Sequence, residues 1–371
     1  MQWIEAALVR GGTSKGMFFA EDWLPEGREA RDRVFAAALG SPDRFGRQLD
    51  GMGGGISSLS KVIVVSRSQR EGVDLDYTFG QVAVDTGVTD YAGNCGNLSS
   101  GVVPFALEAG LLQANDGHQD FTLFNTNTSK IVQVRLAVTD GRASVEGELS
   151  LPGVHGAGAP IELGYPDPSG SRSAGLLPSG NPVDLLQVEG LEYPVSLVDA
   201  ALPTVVIEAA RLGLDGTESP ESIDANKPVL VLLEKIRRAG AVAMGLCSNP
   251  DDAAQVTPKI VLAAAPAPAK LLDGSLSPAS DCDLLVRVIS MGQTHKAVPG
   301  TGAMCLAAAA QIPGSIAATL SGGLPSDVIR LGTPSGAVSA AAHFNGAGQL
   351  EHTSLLRTAR ILMKGFVQLP R

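Results

Sequence analysis

The chain repeats itself. "ALVRGGTSKGMFF" (7–19) is echoed by "SLVDAALPTVVIE" (196–208), each a short strand, a turn of small residues and a second strand. "MGGGISSLSKVIVV" (52–65) is echoed by "MGLCSNPDDAAQVTPKIVLA" (244–263), where Met-Gly opens a loop and a lysine opens a strand, so Lys61 matches Lys259. The segment around Cys95-Gly96-Asn97 is echoed around Pro299-Gly300-Thr301, and each precedes an apolar, helix-like run. One echo could be chance. Three in the same order point to two homologous halves, each with its own core.

Composition narrows what a half can be. With 44 glycines, 23 prolines and only 4% aromatic residues, the chain suits a β-rich α/β fold with many tight turns, not a helical bundle. Residues 61–68, 73–84, 121–126 and 131–138 alternate or run apolar at strand length. Residues 153–182 are rich in Gly, Ser and Pro and read as loop. A boundary at its end gives domains 1–184 and 185–371, the last strand being free to return to the first domain.

The helices after the two Gly-flanked turns differ in kind. In the first, Leu98, Val102, Phe105, Ala106 and Ala109 recur at helical spacing up to Gly110, with Pro104 expected to kink or loosen the first turns. In the second, "AMCLAAAAQI" is apolar on every face, which predicts a helix buried all round. Glycine at a helix N-terminus leaves backbone N–H groups open to an anion, so two such termini suit a di- or tricarboxylate.

Other function classes are excluded or disfavoured. No apolar run reaches the roughly 20 residues of a membrane span. The start "MQWIEAALVRGG" lacks the basic and apolar regions of a secretory signal. Four widely spaced cysteines, Cys95, Cys247, Cys282 and Cys305, suggest reduced thiols in the cytoplasm. A net charge of −10 argues against nucleic acid, though not against an anionic small molecule met by a local cationic cluster. His118, His155, His343 and His352 are scattered without metal-ligand spacing, and no metal or other cofactor is inferred. "GTSKG" lacks the spacing of a phosphate-binding P-loop.

From "VRGGTSKGMFF", "DGMGGGISSLSKV" and "GNCGNLSSG" to "ISMGQTHKAVPGTGAMCLAAAAQIPG" and "RILMKGFVQLP", the sequence resembles the PrpF family of isomerases, relatives of diaminopimelate epimerase and proline racemase. The resemblance covers essentially the whole chain. It implies an α/β (α+β) fold of two similar domains, each a curved, mostly antiparallel sheet around a central helix, with the active site in the interdomain cleft. It also implies cofactor-free isomerisation of unsaturated tricarboxylates, either cis–trans isomerisation of 2-methylaconitate or a 1,3-allylic shift of 4-oxalomesaconate. The family's functional pair maps onto Lys61 and Cys95. Epimerases of the superfamily use a cysteine from each half; here the second position is Pro299, which disfavours two-thiol racemisation.

The residues themselves bear on that chemistry. Moving an allylic proton needs a base near neutral pKa and support for a developing enolate. Lys61 opens an otherwise apolar strand, where burial and nearby cations would lower its pKa, although a strand-edge lysine reaching solvent has the same sequence. Cys95 at a helix start would be a lowered-pKa thiol, the plain alternative being a packed one. Cys305 reads as packing.

Carboxylate-binding candidates in the first half are Arg10, Ser14, Lys15, Ser57, Ser58, Ser60, Asn94, Gly96 and Asn97. In the second half they are Arg287, His295, Lys296 and the turn Gly300, Thr301 and Gly302. The expected partner is a di- or tricarboxylate, without nucleic acid or membrane; a homodimer is left open. A tricarboxylate-binding accessory protein to a dehydratase and a racemase are the alternatives.

Overall fold

A computed structural model describes residues 2–91, 95–255, 257–290, 292–323 and 327–370. The chain separates into two compact units, one of Met1–Gly164 with Leu356–Arg371 and one of Tyr165–Leu355. The sequence reading puts the division after residue 184. The strand Ile161–Pro166 lies inside the stretch read as loop, and it pairs antiparallel with Lys130–Thr139. Its Ile-Glu-Leu core is strand-like, but flanking Gly and Pro hide so short a signal.

In the first unit, β1 (Gln2–Gly11) and β2 (Ser14–Ala20) form a hairpin whose register runs from Gly11 opposite Ser14 to Ala7 opposite Phe18. Its two-residue turn has Gly12 at φ +50°, a left-handed conformation that glycine adopts without a Cβ clash. β3 (Lys61–Arg67) runs parallel to β2, and β4 (Leu75–Val82) antiparallel to β3. The strand Ala359–Leu369 pairs with β1 along its whole length, with one register shift at Leu8/Val9.

Strand alternation gives this sheet two apolar faces. Phe19, Val62 and Val64 pack on Phe35 of α1 (Arg28–Leu39), which Gly40 ends in a left-handed C-cap. Phe18, one residue earlier, faces the other way and meets Phe105, ring centroids 5.6 Å apart. Phe105 belongs to α3 (Val102–Glu108), which follows the one-turn α2 (Gly96–Ser99). The single helix read from the sequence is thus broken at Ser100-Gly101. A Cβ on Gly101 would stand 2.9 Å from Val9 and 3.0 Å from Phe18, so glycine there lets the break press onto the sheet. Pro104 falls in the first turn of α3, where a missing N–H costs little.

The second unit uses the same order of parts. The hairpin Leu191–Asp199 and Pro203–Glu208 is followed by Lys259–Ala264, parallel to the second strand with Thr204 beside Lys259. Between them lie α4 (Pro220–Ala225) and α5 (Lys227–Ala243), for which the sequence reading has no counterpart. Ser219 and Asn226 cap them by accepting from Ser222 N and Val229 N, a signal present in the sequence. Leu233 and Ile236 of α5 cover Val205, Ile207 and Ile260.

Further along, α6 (Gly300–Gln311) is buried from Gly302 through Ala310 among Val206, Val261, Val286 and Ala340, as its all-apolar sequence requires. Among the described residues no helix is long and apolar enough to cross a membrane.

Candidate functional site

Lys61 is the first residue of β3, and Gln81 faces it across the ladder. Lys61 Nζ donates to Gln81 Oε1 at 2.5 Å and lies 5.0 Å from the centroid of the Phe79 ring. The amide of Gln81 cannot turn freely, because its Nε2 donates to Ser57 O (3.1 Å) and Ser60 O (2.8 Å). The loop before Lys61 is fixed in turn by Lys15 N, which donates to Ser58 O at 3.0 Å. The lysine head is therefore held by a rigid acceptor on a half-buried surface. Sequence reasoning missed Gln81; its only signal was a polar residue at an inward-pointing strand position.

Cys95 is buried at the N-cap of α2, its Sγ 3.8 Å from the buried Ser14 Oγ. The turn around it is locked to the first hairpin. Asn97 Nδ2 donates to Thr13 Oγ1 (3.0 Å), and Asn97 Oδ1 accepts from Arg357 Nε (3.0 Å). Gly11 and Gly12 make room for this, since a Cβ on either would come within 2.5 Å of Asn97. Gly16 does the same for the lysine strand: its Cβ would stand 2.6 Å from Lys61 O and 3.0 Å from Leu98. Thus the β1–β2 hairpin positions both Lys61 and Cys95. Arg357 is a second site residue that the sequence reading did not single out, because nothing local links it to position 97.

The other first-half candidates part company here. Arg10 Nη1 is spent on Gly12 O, Thr358 O and Thr358 Oγ1, so it braces the turn; burial first, and Arg360 second, lower its pKa. Ser60 is fully buried, donating to Val82 O and accepting from Gln48 Nε2 at 2.8 Å each. Ser57 and Ser58 contribute backbone carbonyls. These residues build the site's frame. Gly96 opens α2, and Asn94 lies outside the described residues.

In the second unit, Arg287 is fully buried and donates to Glu218 O, Val286 O and Gly332 O, with its pKa lowered to about 10 by desolvation. Its Nε and Nη1 thus brace backbone carbonyls, while Nη2 is buried without a partner among the described residues. His295 is half-buried, with Nε2 unpartnered among the described residues; burial, then the charge of Lys259, lowers its pKa. Lys259 is itself lowered by burial and by Arg237. The carbonyl of Lys296 accepts from Ser335 Oγ. Gly300, Thr301 and Gly302 form the first turn of α6 behind an N-cap proline, so no thiol stands where Cys95 stands in the first unit.

Cys305 Sγ donates to Val198 O in the core, where burial raises its pKa to about 11, as a packing thiol should. His343 and His352, scattered in the sequence, are ladder partners with rings stacked 4.1 Å apart.

Chemically, the first unit brings together an amine on a fixed acceptor, a buried thiol beside a hydroxyl, and a glycine turn tied down by Asn97. That is a set suited to moving protons on a small molecule. The PrpF protein family matches residues 1–370. The chain belongs to the PrpF family. It is 37% identical over 385 residues to the 2-methyl-aconitate isomerase of Shewanella oneidensis, covering 99% of this chain and 97% of the relative. It is 39% identical to the (4E)-oxalomesaconate Delta-isomerase of a Novosphingobium species, covering 97% and 95%. A crystal structure of methylitaconate-delta-isomerase superposes with a TM-score of 0.91 at 34% identity, covering 99% and 96%. That likeness establishes the mixed α/β architecture of this family, and these full-length relatives are isomerases.

Proposed function

We propose that this PrpF-family isomerase acts without a cofactor on unsaturated di- and tricarboxylic acids by moving an allylic proton. Lys61 donates an N–H to Gln81 and is the base that takes the proton. The C–H electron pair enters the conjugated system as a dienolate, and Lys61 or Cys95 returns a proton to the same or the other end. Reactant and product have the same atoms, so no oxidant or co-reactant is needed. The observation that carries this reading is the Lys61–Gln81 contact, because it orients a base without neutralising it by a carboxylate.

The relatives' named substrates, 2-methylaconitate, oxalomesaconate and methylitaconate, define the class. All four cysteines are free, which supports a reducing, cytoplasmic setting. The net charge of −10 supports a small-molecule partner over nucleic acid. Proton NMR on these three acids in deuterium oxide tests the proposal. Isomerisation with deuterium uptake at the allylic carbon is expected. Unchanged spectra with retained binding would replace it with a pure tricarboxylate-binding role.

A further inference from the structure

The strand Ala359–Leu369 closes the first unit's sheet on β1 and, among the described residues, has no ladder partner along its other edge. An open edge presents a row of backbone N–H and C=O groups, which proteins blunt with proline, charge or a bulge. Here the register shift at Leu8/Val9 leaves Leu362 as the extra residue, so the bulge sits towards one end. Beyond it Met363–Leu369 is regular, holds no proline and no acid, and carries one charge, that of Lys364. The Lys364 ammonium is spent on the end of α3, donating to Glu108 O at 2.8 Å.

Apolar side chains stand exposed around this edge. Ladder partners share a face, and Trp3 pairs with Gln368 while Glu5 pairs with Phe366, so Trp3 and Phe366 lie on one face. They are 57% and 64% exposed. Just past the strand, Pro370 lines an open concavity of about 540 Å³ with Phe45 and Leu49, which are 73% and 74% exposed. Single exposed apolar residues mean little; several around one open edge mark a contact surface.

A strand edge is completed by another strand, and this one matches itself. Phe366 is the middle residue of Met363–Leu369. A two-fold axis through it pairs the whole regular stretch with its own copy in antiparallel register. Phe366 then meets Phe366 of the copy, Gly365 meets Val367, and Lys364 meets the neutral Gln368. An axis through Lys364 would instead set two ammonium groups face to face, which costs stability. The register centred on Phe366 also brings Leu362 of the copy opposite Pro370, at the concavity lined by Phe45 and Leu49.

We propose that the closing strand is a dimer interface, joining two copies of this chain edge to edge about Phe366. Analytical ultracentrifugation over a dilution series tests it with the wild type, Phe366→Lys and a control, Leu276→Lys, which alters an exposed leucine of the second unit. A dimeric wild type and control are expected, with association weakened about tenfold or more in Phe366→Lys. Circular dichroism checks that each variant is folded. Should Phe366→Lys fail to fold, hydrogen–deuterium exchange of the wild type decides, since backbone amides within Met363–Leu369 should exchange faster on dilution. A monomeric wild type, equal association of folded Phe366→Lys and wild type, or exchange there that ignores concentration would each overturn the proposal. None of these readouts needs turnover, so they stand apart from the proposed reaction.

Discussion

Lys61 Nζ is hydrogen-bonded to Gln81 Oε1, and the amide it meets is pinned by the carbonyls of Ser57 and Ser60. Gln81→Leu should therefore lower kcat by up to about 100-fold while substrate binding changes less, since it frees the base without removing it. Gln81→Glu keeps an acceptor but adds a charge that holds the lysine in an ion pair, so kcat should fall here too. Wild-type kcat in both variants would mean that the Lys61–Gln81 contact does not serve the reaction.

Lys61→Ala is expected to cost on the order of 10² to 10⁴ in turnover and to abolish deuterium exchange. Cys95→Ser should slow turnover yet leave measurable exchange, since a hydroxyl or water can deliver a proton less well. Exchange at the wild-type rate in Lys61→Ala, with none in Cys95→Ser, would reverse the two roles.

How far the sequence could be read depends on range. Lys61, Cys95 and the two glycine turns could be singled out because their signal is local: an unusual residue between small ones, repeated in the second half. The buried α6 was legible because its whole circumference is apolar. For Arg287 and Arg10 the sequence could not show the backbone carbonyls they feed, because such an arginine reads the same as one facing a ligand. Gln81 and Arg357 were invisible for the opposite reason. Their partners, Lys61 and Asn97, are reached through strand register, which no local pattern prints. The broken helix at Gly101 was half-legible: Pro104 announced an irregularity, but the break falls where Val9 and Phe18 demand space.

Gly16→Ala puts a methyl group 2.6 Å from the backbone oxygen of Lys61. Backbone must shift, and with it the start of β3. A fall in kcat larger than the fall in Tm would suggest is expected, read by steady-state kinetics beside a thermal melt.

Gln48 is a purely structural prediction. Buried, it donates to Ser41 Oγ and Ser60 Oγ and accepts from Gly55 N. Gln48→Leu removes all three hydrogen bonds and should cost about 1–3 kcal/mol in urea unfolding.

Lys259 gives a pH-dependent one. Its folded pKa lies below its ordinary value of 10.5, chiefly because burial disfavours the ammonium. Below the folded pKa its charge destabilises the fold, and this penalty fades as pH rises towards 10.5. Lys259→Met should raise Tm at neutral pH, with the gain shrinking in alkaline buffer. Its effect on turnover should be smaller than that of Lys61→Ala. A gain independent of pH would assign the effect to packing alone.

The closing strand Ala359–Leu369 has a consequence for biosynthesis. The ribosome delivers all of Tyr165–Leu355 before it delivers the strand that completes the first unit's sheet. Arg10 waits for Thr358, 348 positions downstream, and Asn97 waits for Arg357, 260 positions downstream. The first hairpin and the turn at Asn97 are thus secured only after the whole second unit has been made. A nascent chain halted before position 357 would contain both Lys61 and Cys95, yet lack the side chains that brace the turn around them.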